Sequence, residues 1–275
     1  MSSVAQFTES SATSTVVGAE LSVKDVVKTY RRSGGQPFNA LNQVSTAIAP
    51  GQFVCIVGPS GCGKTTLLQI IAGLTRPTSG MLVCDGQPIK GPAPERGLVF
   101  QKDSVFPWMR VIDNVAYGLK VRGVTKKERL ETAERFLGEV GLSHVAKAWP
   151  KELSGGMLKR VAIATTFANA PKLLLMDEPF ASVDYVTRQK LHRTVLNLRA
   201  EHKLTAVFVT HDVDEALTLA DRIIVMKTGE IVDDRMINAE RPRTVEDLAA
   251  PEMLEHKEIL LHHLGIGDED QDGDD

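Results

Sequence analysis

Gly58-Pro-Ser-Gly-Cys-Gly63-Lys64-Thr65 constrains this chain more than any other stretch of it. The segment fits GxxxxGK(S/T) and lies between an apolar, β-rich run at Phe53–Val57 and a helical pattern at Lys64–Ala72. Strand, glycine loop and helix in that order make a phosphate cradle. Glycines let the backbone turn successive N–H groups inward as an anion nest, and the helix N-terminus adds the positive end of its dipole. Lys64 is placed to reach β- and γ-phosphates, and the Thr65 hydroxyl is an oxygen ligand suited to Mg²⁺.

Strands and helices alternate on either side of a helix-rich stretch. Leu21–Val27, Leu98–Phe100, Lys172–Met176, Ala206–Val209 and Ile223–Met226 read as strands. Val186–His202 and Val213–Ala220 read as helices, the first with Leu191, Val195 and Leu198 on one face. This alternation predicts an α/β fold with a mainly parallel sheet. From about residue 102 to 170 helical patterns dominate, as at Lys126–Val140 and Gly156–Ala168, so a helical lobe is expected inside the α/β body. Residues 1–20 are Ser-, Thr- and Ala-rich and predict a flexible leader, and Arg31–Pro37 carries a Gly-Gly turn.

Downstream, Leu173-Leu-Leu-Met-Asp177-Glu178 ends a buried strand in two adjacent carboxylates. Side chains alternate along a strand, so the two are expected to point differently. Asp177 is assigned to Mg²⁺ and Glu178 to an attacking water. Alone, such a pair is more simply a solvated strand end; the phosphate loop gives it a purpose.

Composition excludes several other classes. No apolar run approaches the roughly 18–20 residues that span a bilayer. Cys55, Cys62 and Cys84 form no CxxC pair, which argues against a disulfide scaffold or a zinc ribbon, and no secretory signal is expected. The net charge of −3 is set by six acids in the last eight residues; without them 32 basic residues face 29 acidic ones, too mild a balance for nucleic-acid binding. Asp268–Gly273 imitates half an EF-hand loop but lacks the closing Glu, and reads as a solvated tail. His262-His263, among leucines, reads as part of an amphipathic helix rather than a metal site.

Leu153-Ser154-Gly155-Gly156-Met157 resembles the LSGGQ signature of ATP-binding cassette (ABC) ATPases. Other residues match that family in order. Tyr30 stands where the family stacks an aromatic on adenine. Gln101 resembles the Q-loop glutamine, Asp184 in Ala181-Ser-Val-Asp184 the D-loop aspartate, and His211 the switch histidine. The resemblance covers about residues 20–235. It implies a P-loop NTPase fold: a RecA-like core with a mainly parallel sheet, an antiparallel β subdomain and an inserted helical subdomain. The ABC ATPase domain would span 21–235, followed by a helical extension at 236–266 and an acidic tail at 267–275.

The resemblance also implies a site that binds ATP with Mg²⁺. ATP would be held by Tyr30, by Gly58, Pro59, Ser60, Gly61, Cys62, Gly63, Lys64, Thr65 and Thr66, and by Ser154, Gly155, Gly156 and Asp184. Thr65, Gln101 and Asp177 would meet the metal; Glu178, His211, Gln101 and Lys64 would carry catalysis. Cys62 is a filler in the loop, and its alkylation is expected to block ATP binding and to be prevented by ATP. Leu158-Lys159-Arg160 and Thr165 depart from the family's usual basic and polar run after the signature.

By the same resemblance, a second copy or a homologous ATPase chain completes each site. Transmembrane permease subunits would be direct partners and a solute-binding protein an indirect one, with the chain peripheral on the cytoplasmic face of the inner membrane and no nucleic acid involved. Gln101-Lys-Asp-Ser-Val-Phe-Pro107-Trp108 looks like the nitrate, sulfonate and taurine importer branch, with bicarbonate a related solute. Ala148–Leu153 also resembles importers. An exporter cassette is the alternative, followed by an ABC ATPase acting on nucleic acid.

Overall fold

The computed structural model describes residues 18–31, 36–101 and 105–266. The acidic tail, its EF-hand-like stretch and most of the leader lie outside these residues. In chain order the elements are β1 (Leu21–Tyr30), β2 (Phe38–Ile48), β3 (Phe53–Val57), α1 (Lys64–Ala72), β4 (Ser79–Cys84), β5 (Gln87–Pro88), β6 (Arg96–Val99), α2 (Val111–Val121), α3 (Lys126–Glu139) and α4 (Gly155–Ala168). They continue with β7 (Leu173–Asp177), α5 (Tyr185–His202), β8 (Thr205–Thr210), α6 (Val213–Leu219), β9 (Arg222–Lys227), β10 (Glu230–Met236), α7 (Val245–Leu248) and α8 (Pro251–Leu264).

The strands form two sheets, β2-β1-β4-β5 and β10-β9-β3-β8-β7-β6. In the larger one β9, β3, β8, β7 and β6 run parallel, and β10 is an antiparallel edge. Every residue of β3 and β8 is buried, because a parallel sheet is covered on both faces. Successive residues feed opposite cores. Phe53, Cys55 and Val57 join Phe136, Leu137 and Val161 of the helical lobe. Val54 and Ile56 join Leu67, Leu68 and Ile71 of α1 and the inner face of the antiparallel sheet. This period-two division fixes β3 centrally and delivers its C-terminal loop to one edge of the molecule.

α2, α3 and α4 lie between β6 and β7 and pack on one another through Val115, Phe136 and Val161. α3 opens with a reciprocal capping box between Thr125 and Glu128. α8, which contains His262 and His263, buries Met253 and Leu260 in the same core.

The leader expectation fails at its last three residues. Ala19 is fully buried, its N–H donates to the Lys172 carbonyl at 3.2 Å, and its own carbonyl accepts from Thr205 Oγ1 at 2.6 Å. A small residue at the N-terminal ends of the interior strands β7 and β8 lets the backbone dock where a Ser- and Ala-rich composition signals only flexibility.

Candidate nucleotide site

β3 runs into the glycine loop and the loop into α1. Gly63 is the N-cap residue with φ 106°, a backbone open to glycine, and the Ala40 carbonyl lies 2.4 Å from where a Cβ would stand. No side chain caps α1. Its first N–H groups are therefore available to an anion. Lys64 is 5% exposed; its Nζ donates to the carbonyls of Gly58 (2.7 Å) and Pro59 (3.0 Å). The loop thus holds a fixed positive charge under its own arch.

Above it is a cleft of about 430 Å³ bordered by Ser60, Gly61, Gly63, Lys64, Thr65 and Thr66. Tyr30 and Phe38 flank it with stacked rings, centroids 5.7 Å apart; Gln101 and Glu178 also border it. Phe38 was not foreseen as part of this wall. An aromatic eight positions beyond Tyr30, at the start of the paired strand, is the available signal.

The two carboxylates separate by a different device from the one expected. β7 ends at Asp177, and Glu178 adopts a left-handed backbone, φ 42°, while its N–H still donates to the Val209 carbonyl at 3.0 Å. The chain turns at Glu178 rather than continuing the pleat. Strain of this kind in a non-glycine residue costs of order 1–3 kcal/mol. Asp177 Oδ1 accepts from Thr65 Oγ1 at 3.0 Å, so the two oxygen groups assigned to Mg²⁺ are adjacent. Burial raises the Asp177 carboxyl above the ordinary carboxylate range, only partly offset by the Thr65 hydroxyl. Glu178 Oε2 lies 3.1 Å from His211 Nδ1 and accepts from Gln101 Nε2 at 3.4 Å.

His211 follows β8 over a buried polar network. Thr210 Oγ1 donates to Glu215 Oε2 at 2.5 Å, and His192 Nε2 meets Glu215 Oε1 at 2.8 Å. This anchors the turn that carries His211.

Ser154 and Asp184 lie elsewhere. Each caps a helix: Ser154 Oγ accepts from the Met157 N–H at 3.4 Å, and Asp184 Oδ1 from the Thr187 N–H at 3.0 Å. Hydrogen bonds from the Thr187 N–H and hydroxyl hold the Asp184 carboxyl below its ordinary value. A Cβ on Gly156 would stand 2.7 Å from Thr187 Cγ2, so the two caps are packed together. Among the described residues, neither Ser154–Gly156 nor Asp184 borders the cleft.

Two expectations change. Cys62 is 4% exposed and belongs to the core beneath the loop, with Sγ 3.9 Å from Lys64 Nζ, and it does not border the cleft. Lys159, counted as a departure, has a place: its Nζ donates to the Gln101 carbonyl at 2.5 Å, tying α4 to the strand-end glutamine. Arg160 donates to the Val140 carbonyl at 3.2 Å.

A second surface feature lies on the helical lobe. Trp108 is 71% exposed and borders a groove of about 350 Å³ with Arg110, Asp113, Lys120 and Trp149.

Residues 41–181 match the family described as ABC transporter. This chain belongs to the ABC transporter family. The cassette is 44% identical over 247 residues to an uncharacterized ABC transporter ATP-binding protein of Methanocaldococcus jannaschii, covering 89% of this chain and 91% of the relative. It is 47% identical over 201 residues to a nitrate import ATP-binding protein of Synechocystis sp., covering 72% and 76% of the two chains. A dimeric ATP-binding cassette solved in a post-hydrolysis state with ADP and Pi superposes with a TM-score of 0.73 at 33% identity, covering 80% of this chain and all of the other. The protein is an ABC ATP-binding subunit and an ATPase, built on the P-loop NTPase fold. Among the described residues, no helix is long and apolar enough to cross a membrane.

Proposed function

We propose that this ATPase drives uptake of a small anion such as nitrate, sulfonate, taurine or bicarbonate. It would act as a dimer on the cytoplasmic face of the membrane, under a separate permease supplied by a solute-binding protein. The observation that carries this reading is the likeness to the nitrate import ATP-binding protein. The exposed Trp108 and its groove suit a docking helix of the permease, with apolar rings beside charges of both signs.

The cassette proper would be residues 21–235, with 102–170 as its helical insertion and 236–266 as an extension. Tyr30, backed by Phe38, offers a ring face to adenine. The loop 58–66 wraps the phosphates, and Lys64 exchanges its two carbonyl partners for phosphate oxygens. Thr65 and Asp177 present adjacent hard oxygens that fit Mg²⁺, and Gln101 would add its amide oxygen. When bound, that ion neutralises charge on the β- and γ-phosphates. Glu178 accepts a proton from the attacking water. His211 and Gln101 hold its carboxylate and sense the γ-phosphate. Ser154–Gly156 of a second copy close the site with a helix N-terminus aimed at the phosphate.

Uptake of isotope-labelled nitrate, taurine and bicarbonate in cells lacking this chain tests the reading. Loss of one uptake, restored by the wild-type chain and not by Glu178→Gln, supports it. Unchanged uptake of all three, or accumulation of a solute in the deleted strain, contradicts it.

A further inference from the structure

The C-terminal ends of two helices from different lobes meet at Glu139, Glu201 and His202. Glu139 is the last residue of α3 in the helical lobe; Glu201 and His202 are the last two of α5 in the α/β core. One ligand atom from each lies within 4.8 Å of the others. Glu139 Oε2 and His202 Nε2 stand 3.6 Å apart, too far for a hydrogen bond. Both atoms are shielded from solvent and have no hydrogen-bond partner. Protonated, His202 would form an ion pair with this carboxylate; neutral, its nitrogen and the oxygen leave room for a shared third group.

We infer that Glu139, Glu201 and His202 form a divalent metal site that braces the helical lobe against the core, and that zinc is the ion it fits. One imidazole and two carboxylates are a zinc-type donor set. Bonds of about 2.0–2.2 Å in a tetrahedron put ligand atoms roughly 3.4 Å apart, so the 3.6 Å pair is already near that spacing. Mg²⁺ is a poorer match, since it prefers six oxygens. Two helix C-termini converge here, and the negative ends of both dipoles favour a cation. The His202 ring is held by Phe136 (5.5 Å) and Phe167 (5.9 Å), which fixes where its nitrogen points. Arg135 Nε is 3.9 Å from Glu139 Oε1, the other carboxylate oxygen, and Arg160 is bound to the Val140 carbonyl. Three protein ligands leave a fourth position to water. The site shares no residue with the nucleotide cleft, and nothing in it depends on the transport reading.

Calorimetric titration of the untagged, nucleotide-free full chain with zinc chloride, joined to thermal melting, tests this. The wild type binds one zinc per chain at this site, and zinc raises its melting temperature. Glu139→Gln, nearly isosteric, and His202→Gln each weaken that binding at least tenfold and lose the thermal gain. A variant with His262 and His263 both changed to Gln, on α8, keeps the affinity. X-ray absorption of the zinc-loaded wild type shows a single imidazole among oxygen ligands, a readout that holds even where a variant folds poorly. Absence of stoichiometric zinc, undiminished binding in Glu139→Gln, loss of the site in the α8 variant, or a shell with two or more imidazoles overturns the inference.

Discussion

His211 Nδ1 stands 3.1 Å from Glu178 Oε2, with the two residues on turns that follow the neighbouring strands β8 and β7. The Gln101 amide reaches the same oxygen at 3.4 Å. A carboxylate gripped from two sides, on a left-handed turn, is positioned rather than merely exposed. Glu178→Gln keeps the size of the side chain and its place between these partners but removes the proposed proton acceptor. ATP binding should survive, while hydrolysis falls by roughly 10²–10⁴-fold. Single-turnover phosphate release beside equilibrium nucleotide binding separates the two. Near-normal turnover would remove Glu178 from the chemistry.

Asp177 gives a pH signature. Burial raises its folded-state carboxyl above the ordinary range, so the folded chain holds this proton more tightly than the unfolded chain does. Its contribution to stability therefore falls as pH rises from the ordinary carboxylate range through the raised value, and then stays constant. Asp177→Asn carries no such charge, and its amide oxygen still accepts from Thr65. The nucleotide-free variant should melt higher than wild type near neutral pH, with the gap closing as pH falls to about 4. The same variant should lose Mg²⁺-dependent tightening of ATP binding. A gap that is flat with pH contradicts the assignment.

The cysteines give a third test. Cys55 is fully buried in β3, and burial pushes its thiol well above the usual range. Cys62 is buried beneath the loop, its Sγ close to Lys64. Thiolate is the reactive form and both groups lack access. Native labelling followed by mass spectrometry should find both slow, with full modification only after denaturation. Rapid native labelling of Cys62 would place its thiol in the phosphate nest instead.

The central strands and α1 were legible because burial on both faces writes a continuous apolar run, as in Phe53–Val57 and Leu173–Met176. Of the half-exposed strands, β1 was legible in part, as Leu21–Val27, while β2, β4 and β10 were not. β1 pairs with β2 through register shifts after Val23, Val26 and Lys28, which break the alternation that would have exposed β2 to a reader of the sequence. β10 is an edge strand in which charged residues interrupt the pattern. At the site, the phosphate loop and the Asp177-Glu178 pair stood out as motifs. The turn at Glu178 did not, since nothing in a run of apolar residues announces a positive φ. Nor did the bond from Lys159 to Gln101, which spans 58 positions and exists only once α4 packs beside the sheet.

Ser154 and Gly156 do not border the cleft that Lys64 anchors in the same chain, so in the proposed mechanism a second copy supplies them. Mixing Ser154→Arg chains with Lys64→Ala chains tests this most directly. In a head-to-tail pair, one site carries both lesions and the other is intact. Each mutant alone should be inactive, and the mixture should recover ATPase activity that rises with total protein as pairs form. Substantial activity in either mutant alone, or a turnover per chain that stays flat across dilution and mixing, would contradict a shared site and leave a self-contained phosphate-loop ATPase.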